Sequence, residues 1–261
     1  MTKRILSLAT AIAAVAAFTS AGMALGQSQG YQYPSSCPAP QNTIVGTEGN
    51  DLRDGTPLND LMLGFGGDDI YGGQSGNDCM LMGTGNDRAS GGEGEDVILG
   101  EAGVDRLGGN DGDDKVDGGP GNDRIDGADN NDSLTGGTGN DRIVAGNGRD
   151  RVTGNAGNDT LSLGGATDRG NGGSGKDKVF GGPQNDNVNG GSGNDRVRGD
   201  SGSDRVIGGS GKDRLFGGSG NDKLIANDGK RDVVNCGSGT DHALVDRRDR
   251  VNRNCEFIAV G

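Results

Sequence analysis

The sequence predicts an all-β protein, a right-handed parallel β-roll in which two nine-residue repeats form each coil. Three observations predict it. An aspartate recurs every nine residues, without a miss, from Asp51 to Asp222. Glycines fill the half of each repeat before the aspartate, and one apolar residue follows two positions after it. A strict short period over this length is typical of an array that stacks one small structural unit.

Residues 190–198, which read GGSGNDRVR, show the repeat unit most clearly. Glycine adopts positive φ without a clash at Cβ, so three glycines in four residues favour a tight turn. The last three residues of the unit point outward, inward and outward, which predicts a short strand with one buried side chain. The inward positions hold β-formers of similar size: Ile98, Leu107, Val116, Ile125, Leu134, Ile143, Val152, Leu161, Val179, Val188, Val197, Val206, Leu215 and Leu224.

Stacking two units per coil brings alternate aspartates together. Asp51, Asp69 and Asp87 line one edge of the roll, and the intervening aspartates line the other. Coils stack about 4.8 Å apart, so neighbouring carboxylates repel by about 0.9 kcal/mol per pair even in bulk water. A cation between them removes this repulsion. The unit provides carboxylate and carbonyl oxygens and no histidine, and such a flexible oxygen shell suits Ca²⁺ better than Mg²⁺.

The unit resembles the glycine–aspartate nonapeptide of the RTX, or haemolysin-type calcium-binding, family over residues 46–225. The resemblance implies a parallel β-roll in which each aspartate and the carbonyls of its turn bind calcium shared with the next turn on the same edge. Carried over to this chain, it implies twenty calcium ligands: Asp51, Asp60, Asp69, Asp78, Asp87, Asp96, Asp105, Asp114, Asp123, Asp132, Asp141, Asp150, Asp159, Asp168, Asp177, Asp186, Asp195, Asp204, Asp213 and Asp222.

Several units depart from this pattern. The glycine two positions before the aspartate is replaced in the units of Asp60, Asp132, Asp168 and Asp186, by Leu58, Asn130, Ala166 and Gln184 respectively, which places those four sites in question. The first glycine of the unit is replaced by Met82, Ala145 and Leu163. Arg53 and Gly170 stand at inward positions that call for an apolar side chain. The unit around Asp168 is therefore expected to be a defect in the roll.

The N-terminus predicts export. Residues 1–26 read as a signal peptide, with Lys3 and Arg4 before an apolar run and a small-residue cleavage site after Gly26 or Ala24. The alternative, a transmembrane anchor, needs a longer apolar run. Residues 27–45 read as a linker or an N-terminal cap. A secreted, extracellular location matches the chemistry, because calcium is abundant outside cells.

The outward position after each aspartate changes along the chain. Early units place apolar residues there, which we expect the N-terminal segment to cover: Leu52, Leu61, Ile70, Cys79 and Val97. Later units place cations on one face: Arg88, Arg106, Arg124, Arg142, Arg196 and Arg214. The formal net charge of the whole chain is −13. We therefore expect the arginines to balance the acidic edges, and no nucleic-acid partner.

Residues 226–261 are expected to form a C-terminal cap over the open core. The register breaks by one residue after Ala226 and resumes at Asp232 and Asp241. The segment up to Cys255 and Glu256 resembles the closing segment of such repeat arrays in secreted bacterial proteins, which implies a Cys236–Cys255 disulfide. Cys37 would then pair with Cys79, although four cysteines allow three connectivities.

The sequence predicts a calcium-binding protein without enzymatic activity. His242 is the only histidine, and nothing near it forms a nucleophile–base pair. The carboxylates are accounted for by the calcium ladder, and the chain has no room for a separate enzyme domain. Two alternatives stay open: a structural or adhesive protein of the cell surface or matrix, and an accessory or fragment of a haemolysin-like toxin or secreted hydrolase. We expect a monomer whose identified partners are calcium ions.

Overall fold

The computed structural model describes residues 37–261. The expected signal peptide, and residues 27–36 of the segment read as a linker or cap, lie outside the described residues. Every regular element from residue 37 onward is a β-strand, and this part of the chain contains no helix that could cross a membrane.

The strands form two parallel sheets, and successive strands alternate between them. The 13-stranded sheet contains β1 (Asn42–Val45), β3 (Asp60–Leu63), β5 (Cys79–Leu81), β7 (Val97–Leu99), β9 (Lys115–Pro120), β11 (Ser133–Thr138), β13 (Arg151–Ala156), β15 (Arg169–Gly175), β17 (Asn187–Gly193), β19 (Arg205–Gly211), β21 (Lys223–Ala226), β23 (His242–Val245) and β25 (Phe257–Val260). The 12-stranded sheet contains β2 (Leu52–Asp54), β4 (Ile70–Ser75), β6 (Arg88–Glu93), β8 (Arg106–Asp111), β10 (Arg124–Asp129), β12 (Arg142–Asn147), β14 (Thr160–Gly165), β16 (Lys178–Pro183), β18 (Arg196–Ser201), β20 (Arg214–Ser219), β22 (Val233–Ser238) and β24 (Arg250–Val251).

The pairing register confirms two repeats per coil. Ile125 pairs with Leu107 on one side and with Ile143 on the other, so each strand lies beside the strand 18 residues away. The one-residue break after Ala226 also appears, because Leu215 pairs with Val234, 19 residues on. Strands β22 to β25 continue both sheets through the segment expected to cap the roll, and β1 extends the 13-stranded sheet at its start.

The strands are longer than the three residues expected per unit. From β8 onward most contain six or seven residues, as in Arg106–Asp111. Each of these longer strands runs through the first two glycine positions of the next unit. The backbone keeps its hydrogen bonds to the coils on either side there, although the second position has positive φ, as in Asn110 (φ 76°) and Gly119 (φ 91°). The burial pattern of β8 is exposed, buried, intermediate, buried, so the glycine position Gly109 faces the core as Leu107 does.

The core is one column of stacked apolar side chains between the sheets. It contains every inward residue predicted above and begins earlier, with Met62, Tyr71 and Met80. At the other end it includes Cys236, which forms a disulfide with Cys255 over a Cα–Cα distance of 5.2 Å. Cys37 and Cys79 form the second disulfide, with Cα atoms 5.4 Å apart. Both expected pairings are therefore confirmed.

The early outward positions divide between the two sheets. Leu52 and Ile70, on the 12-stranded sheet, are exposed. Leu61, Cys79 and Val97, on the 13-stranded sheet, are buried although their register positions face away from the core. The Cys37–Cys79 disulfide attaches the start of the described chain to these buried outward residues of the 13-stranded sheet.

The unit around Asp168 is not a defect, contrary to the expectation from sequence. Strands β14 and β15 pair with the strands on both sides, although the β14–β16 pairing ends at Ser162 and Phe180, two residue pairs earlier than the β12–β14 pairing. Gly170 is flanked by Leu163, whose buried side chain occupies the space that an apolar residue at position 170 would fill. The two departures from the repeat therefore compensate each other.

Candidate metal centre

The aspartates form two continuous ladders of hydrogen bonds along the edges of the roll. In each step the backbone N–H of one aspartate donates to Oδ1 of the aspartate on the next coil. For Asp105 and Asp123 this N···O distance is 2.9 Å, and for Asp141 and Asp159 it is 2.8 Å. The turn geometry of every coil thus fixes the carboxylate of its neighbour, and each carboxylate lies between two coils.

The second carboxylate oxygen, Oδ2, is buried and has no hydrogen-bond partner in twenty aspartates. An unpaired buried carboxylate oxygen is costly and calls for a ligand. These twenty, which we call the ladder aspartates, are Asp69, Asp78, Asp87, Asp96, Asp105, Asp114, Asp123, Asp132, Asp141, Asp150, Asp159, Asp168, Asp177, Asp186, Asp195, Asp204, Asp213, Asp222, Asp232 and Asp241.

Backbone carbonyl oxygens approach these unpaired oxygens. A Cβ placed on Gly100 would lie 2.6 Å from Asp105 Oδ2 and 2.6 Å from the carbonyl oxygen of Gly118 on the next coil. The arrangement recurs at Gly190, where a Cβ would lie 2.7 Å from the Oδ2 of its own unit's aspartate and 2.6 Å from the Gly208 carbonyl oxygen. Oxygens from two coils therefore face one region beside the first glycine of these units.

The turns keep a positive φ at three of the four positions where the glycine before the aspartate is replaced. Asn130, Ala166 and Gln184 adopt φ values of 78°, 94° and 74°, smaller than the 132° of Gly139 and the 143° of Gly193 at the same position of their units. Asparagine tolerates positive φ, whereas alanine and glutamine do so at a cost in backbone strain. The aspartates that follow these residues, which the sequence placed in question, keep the same burial and the same unpaired Oδ2.

Many of the ladder aspartates hold their protons more tightly than ordinary carboxyl groups do. Burial raises the pKa of Asp96 to about 7; the N–H of Asp78 opposes this shift, and the negative charge of Asp114 adds to it. Burial likewise raises the pKa of Asp132 to about 7 and that of Asp141 to about 6. The fold therefore disfavours a line of unneutralised carboxylates, and either protons or cations relieve it.

Two of the predicted ligands differ from the rest. Oδ2 of Asp51 accepts hydrogen bonds from the Thr47 backbone N–H at 2.6 Å and from the Thr47 hydroxyl at 2.9 Å, and its Oδ1 forms an ion pair with Arg53 at 2.7 Å. Thr56 bonds Asp60 in the same way. A threonine replaces the second glycine in both units, and its donors satisfy the first carboxylate of each ladder.

The ladders extend beyond the last predicted ligand. Asp232 and Asp241 carry unpaired buried Oδ2 atoms, as the others do, and were absent from the predicted set. The signal was present in their resumed nine-residue spacing. The ladders end where Asp249 accepts from Asp232 N–H at 2.9 Å and Glu256 accepts from Asp241 N–H at 2.8 Å.

The backbone offers a cation further oxygen ligands beside each carboxylate. Within residues 37–261, no three His, Cys, Asp or Glu side chains converge as a group that could hold a metal ion. The oxygens available beside Gly100 are a carboxylate and a carbonyl. All-oxygen sites with many carbonyls and little charge are typical of Ca²⁺ bound at extracellular concentrations.

Comparison with known families decides what these ladders are. The family model described as RTX calcium-binding nonapeptide repeat (4 copies) matches residues 83–116, 108–143, 135–169, 164–197, 171–206, 198–230 and 207–242. Together the matches span residues 83–242, more than half of the chain. The chain belongs to the RTX calcium-binding nonapeptide repeat family. A search of curated proteins gives no significant match to the chain.

Membership in this family identifies the ion that the roll binds. RTX repeats bind calcium, and this chain therefore takes multiple Ca²⁺ ions. The unpaired carboxylate oxygens and the facing carbonyls are the hard donors that this ion requires, so the residues present fit it. RTX rolls typically have structural and calcium-binding roles, and RTX repeats and disulfides are typical of secreted proteins.

Proposed function

We propose that this RTX chain is a secreted, non-enzymatic calcium-binding protein that folds when it meets calcium outside the cell. The observation that carries the proposal is the set of twenty buried carboxylate oxygens without a hydrogen-bond partner. A fold that stacks these groups pays a desolvation cost for each, because a buried charge without a partner is strongly unfavourable. Calcium supplies the missing charge and bonds.

The ladder aspartates are the proposed ligands, through Oδ2. The glycine carbonyls of the neighbouring coil, such as that of Gly118 beside Asp105, complete the oxygen donor set. Bound calcium supplies positive charge that neutralises carboxylates on successive coils. The chain orients each carboxylate through the N–H bond to Oδ1, so that Oδ2 faces the turn. Asp51 and Asp60, which threonine donors satisfy, are not among the proposed ligands.

Export and calcium binding support each other physically. Sites built from single carboxylates and carbonyls suit the millimolar calcium found outside cells. The two disulfides, Cys37–Cys79 and Cys236–Cys255, suit the same oxidising environment. Together with the signal-like residues 1–26, these features support secretion to the extracellular space. No described residue cluster supports a catalytic role for the single histidine, His242, whose ring stacks on that of Phe257.

The test is a calcium titration of the mature chain, followed by far-UV circular dichroism, with magnesium at equal concentration as the control. We expect a cooperative transition from coil to β-structure with calcium and none with magnesium. Calcium should promote folding because it binds the folded roll and so stabilises it by mass action.

Two results would contradict the proposal. A β-signal already complete in excess chelator shows that the apolar column and the disulfides suffice without calcium. Hydrolytic or lytic activity in the purified, calcium-loaded chain contradicts the non-enzymatic role. Recovery of the chain from the culture medium tests secretion separately, and retention inside the cell contradicts it.

A further inference from the structure

The outer face of the 12-stranded sheet carries a column of positive charge. Arg88, Arg106, Arg124 and Arg142 are direct partners on successive strands, and all four side chains are exposed. We call these four residues the arginine ladder. Adjacent strands lie about 4.8 Å apart. The column continues beyond Thr160 with Lys178, Arg196 and Arg214.

The guanidinium groups of the arginine ladder are not neutralised by the protein. Among the described residues, salt bridges form only between Arg53 and Asp51 and between Arg198 and Asp200. The ladder therefore places four like charges side by side in solvent without a described carboxylate paired to any of them.

Acidic residues on the same strands lie away from the ladder or do not pair with it. Asp126 occupies the other outward column of the face, two residues after Arg124, and forms no salt bridge. Glu93, Asp111 and Asp129 end their strands five residues beyond the arginines, roughly 16 Å away along an extended chain. Each arginine also directly follows a ladder aspartate, such as Asp105 before Arg106, but forms no salt bridge with it. With calcium bound to those aspartates, the charge of the arginines is left for a ligand.

A linear polyanion matches this surface. Charges on the ladder repeat at the strand spacing along a straight line, so a chain of evenly spaced anionic groups can pair with several arginines at once. Multiple weak contacts of this kind add up because binding at one rung holds the next group nearby. Arginine also presents a planar fork whose N–H groups donate paired hydrogen bonds to the oxygens of a carboxylate or sulfate group.

The part of the face beside the arginine ladder lacks the aromatic rings on which single-stranded nucleic acid stacks. The outward column beside the arginine ladder reads Ser90, Gly108, Asp126 and Val144, and contains no aromatic ring on which a base could stack. Further along, the column contains two aromatic residues, Phe180 and Phe216. The Phe216 ring is covered by the guanidinium of Arg196, 5.0 Å from its centroid. A broad sheet face does not enter a DNA groove, as a helix or a two-stranded ribbon does.

We propose that the arginine ladder binds a linear anionic polysaccharide that carries repeated carboxylate or sulfate groups. The inference rests on the proposed function, because the ladder exists only when the roll is folded. Calcium contributes in a second way. The chain has a formal net charge of −13, and each bound ion adds two positive charges, so calcium loading removes the long-range repulsion of a polyanion.

The opposite sheet provides a matched control. Its corresponding outward column reads Lys115, Ser133, Arg151, Arg169 and Asn187, followed by Arg205, so neutral residues interrupt the cations. The triple variant R106Q/R124Q/R142Q removes three adjacent charges from the ladder. The variant R151Q/R169Q/R205Q makes the same chemical change on the other face and alters the net charge equally. All six arginines are exposed.

The experiment measures fluorescence anisotropy of labelled oligosaccharides in calcium buffer at 0.15 M salt. The probes are sulfated dextran oligosaccharide, oligogalacturonate too short to gel, neutral dextran and oligodeoxythymidine. We expect at least one anionic sugar to bind and neutral dextran not to bind. The first triple variant should weaken binding about tenfold or more and flatten its salt dependence, whereas the second should change it less than about threefold. Comparison of the sulfate and uronate probes identifies the anionic group.

Several outcomes would overturn the inference: equal loss of affinity in both triple variants, tighter binding of oligodeoxythymidine than of either anionic sugar, or no binding of anionic sugar by the folded chain. Circular dichroism of each sample separates this from the calcium proposal. A chain that fails to fold with calcium contradicts the proposed function, whereas a folded chain that ignores both anionic sugars contradicts the polysaccharide inference alone.

Discussion

Leu163 fills the space that a side chain at Gly170 would need. A Cβ placed on Gly170 would lie 2.9 Å and 3.0 Å from the two Cδ atoms of Leu163, and 3.2 Å from Cγ1 of Val179. Leu163 stands where the repeat normally has its first glycine, and Gly170 stands where the repeat has an apolar residue. A large-for-small exchange at one position is thus balanced by a small-for-large exchange seven residues later.

This relationship predicts strong coupling between the two positions. L163G leaves a cavity in the column and should destabilise the roll by about 2–5 kcal/mol. G170L should crowd the column and cost about 1–3 kcal/mol. The double variant restores the normal repeat and should cost much less than the sum of the two single changes. Denaturant unfolding of the four proteins in saturating calcium measures the coupling energy, and simple additivity would contradict the packing argument.

The sequence contains a second such exchange. Met82 occupies a first-glycine position and is fully buried, and Ala89, seven residues later, is the small residue at an inward position. Read alone, Met82, Leu163 and Gly170 each depart from the pattern of the repeat. The compensation could not be predicted from the repeat pattern, because it depends on which side chains meet across the column, and the period gives only their register.

The regular part of the fold could be predicted because it follows from one period. Nine-residue spacing fixed the strand pairing, the two edges and the inward residues, and the structure confirms them. The ends of the carboxylate ladders required coordinates. Thr47 reads as a glycine replacement in the sequence, and its hydroxyl must be located to show that it satisfies Asp51. Asp232 was lost from the predicted set because a single inserted residue precedes it.

The effect on stability of replacing a ladder aspartate should reverse in sign between calcium buffer and chelator. D141N removes a proposed ligand at Oδ2 and keeps an acceptor at Oδ1. In calcium it should destabilise the roll on the order of 2 kcal/mol, the scale of one lost interaction with a charged group. In chelator it should stabilise any residual roll, since it removes a buried charge beside other carboxylates. Thermal unfolding in each buffer measures both effects.

The matched control for this variant is D51N, at the first rung. Asp51 accepts bonds from Thr47 and pairs with Arg53, so it should bind no calcium. Equilibrium dialysis should show fewer calcium ions per chain for D141N and an unchanged number for D51N. The same loss of calcium in both variants would show that the first rung binds the ion too.

Protonation at low pH should stabilise the roll in part, as calcium does. The folded-state pKa is raised to about 7 in Asp96 and to about 6 in Asp141, above the ordinary value of about 3.9 for the unfolded chain. A raised pKa means that protonation favours the fold. Its contribution is fully present below about pH 4 and is lost as the pH rises through 6 to 7.

Two measurements test whether protonation stabilises the folded roll. In excess chelator, circular dichroism should show more β-structure at pH 5 than at pH 8. In calcium, the calcium concentration at the midpoint of folding should fall as the pH falls below about 7, because protons on the buried carboxylates already stabilise the folded roll and less calcium is needed to reach the midpoint. A chelated chain that loses structure on acidification from pH 8 to pH 5 would show that other groups dominate the titration.

The C-terminal disulfide should set how much calcium the roll needs. Cys236 is buried at the end of the core column, and its bond to Cys255 closes a loop with a sequence separation of 19 residues. Closing a loop of about this size removes unfolded-state entropy worth about 3 kcal/mol. C236S/C255S should therefore raise the calcium concentration at the folding midpoint and lower the thermal midpoint in saturating calcium.

C37S/C79S is the control for the other end, where the first carboxylates are satisfied by threonine. It should lower the thermal midpoint and leave the number of bound calcium ions unchanged, whereas C236S/C255S should also weaken calcium binding at the last rungs, near Asp232 and Asp241. Equal calcium binding in both variants would show that the C-terminal disulfide does not organise those rungs.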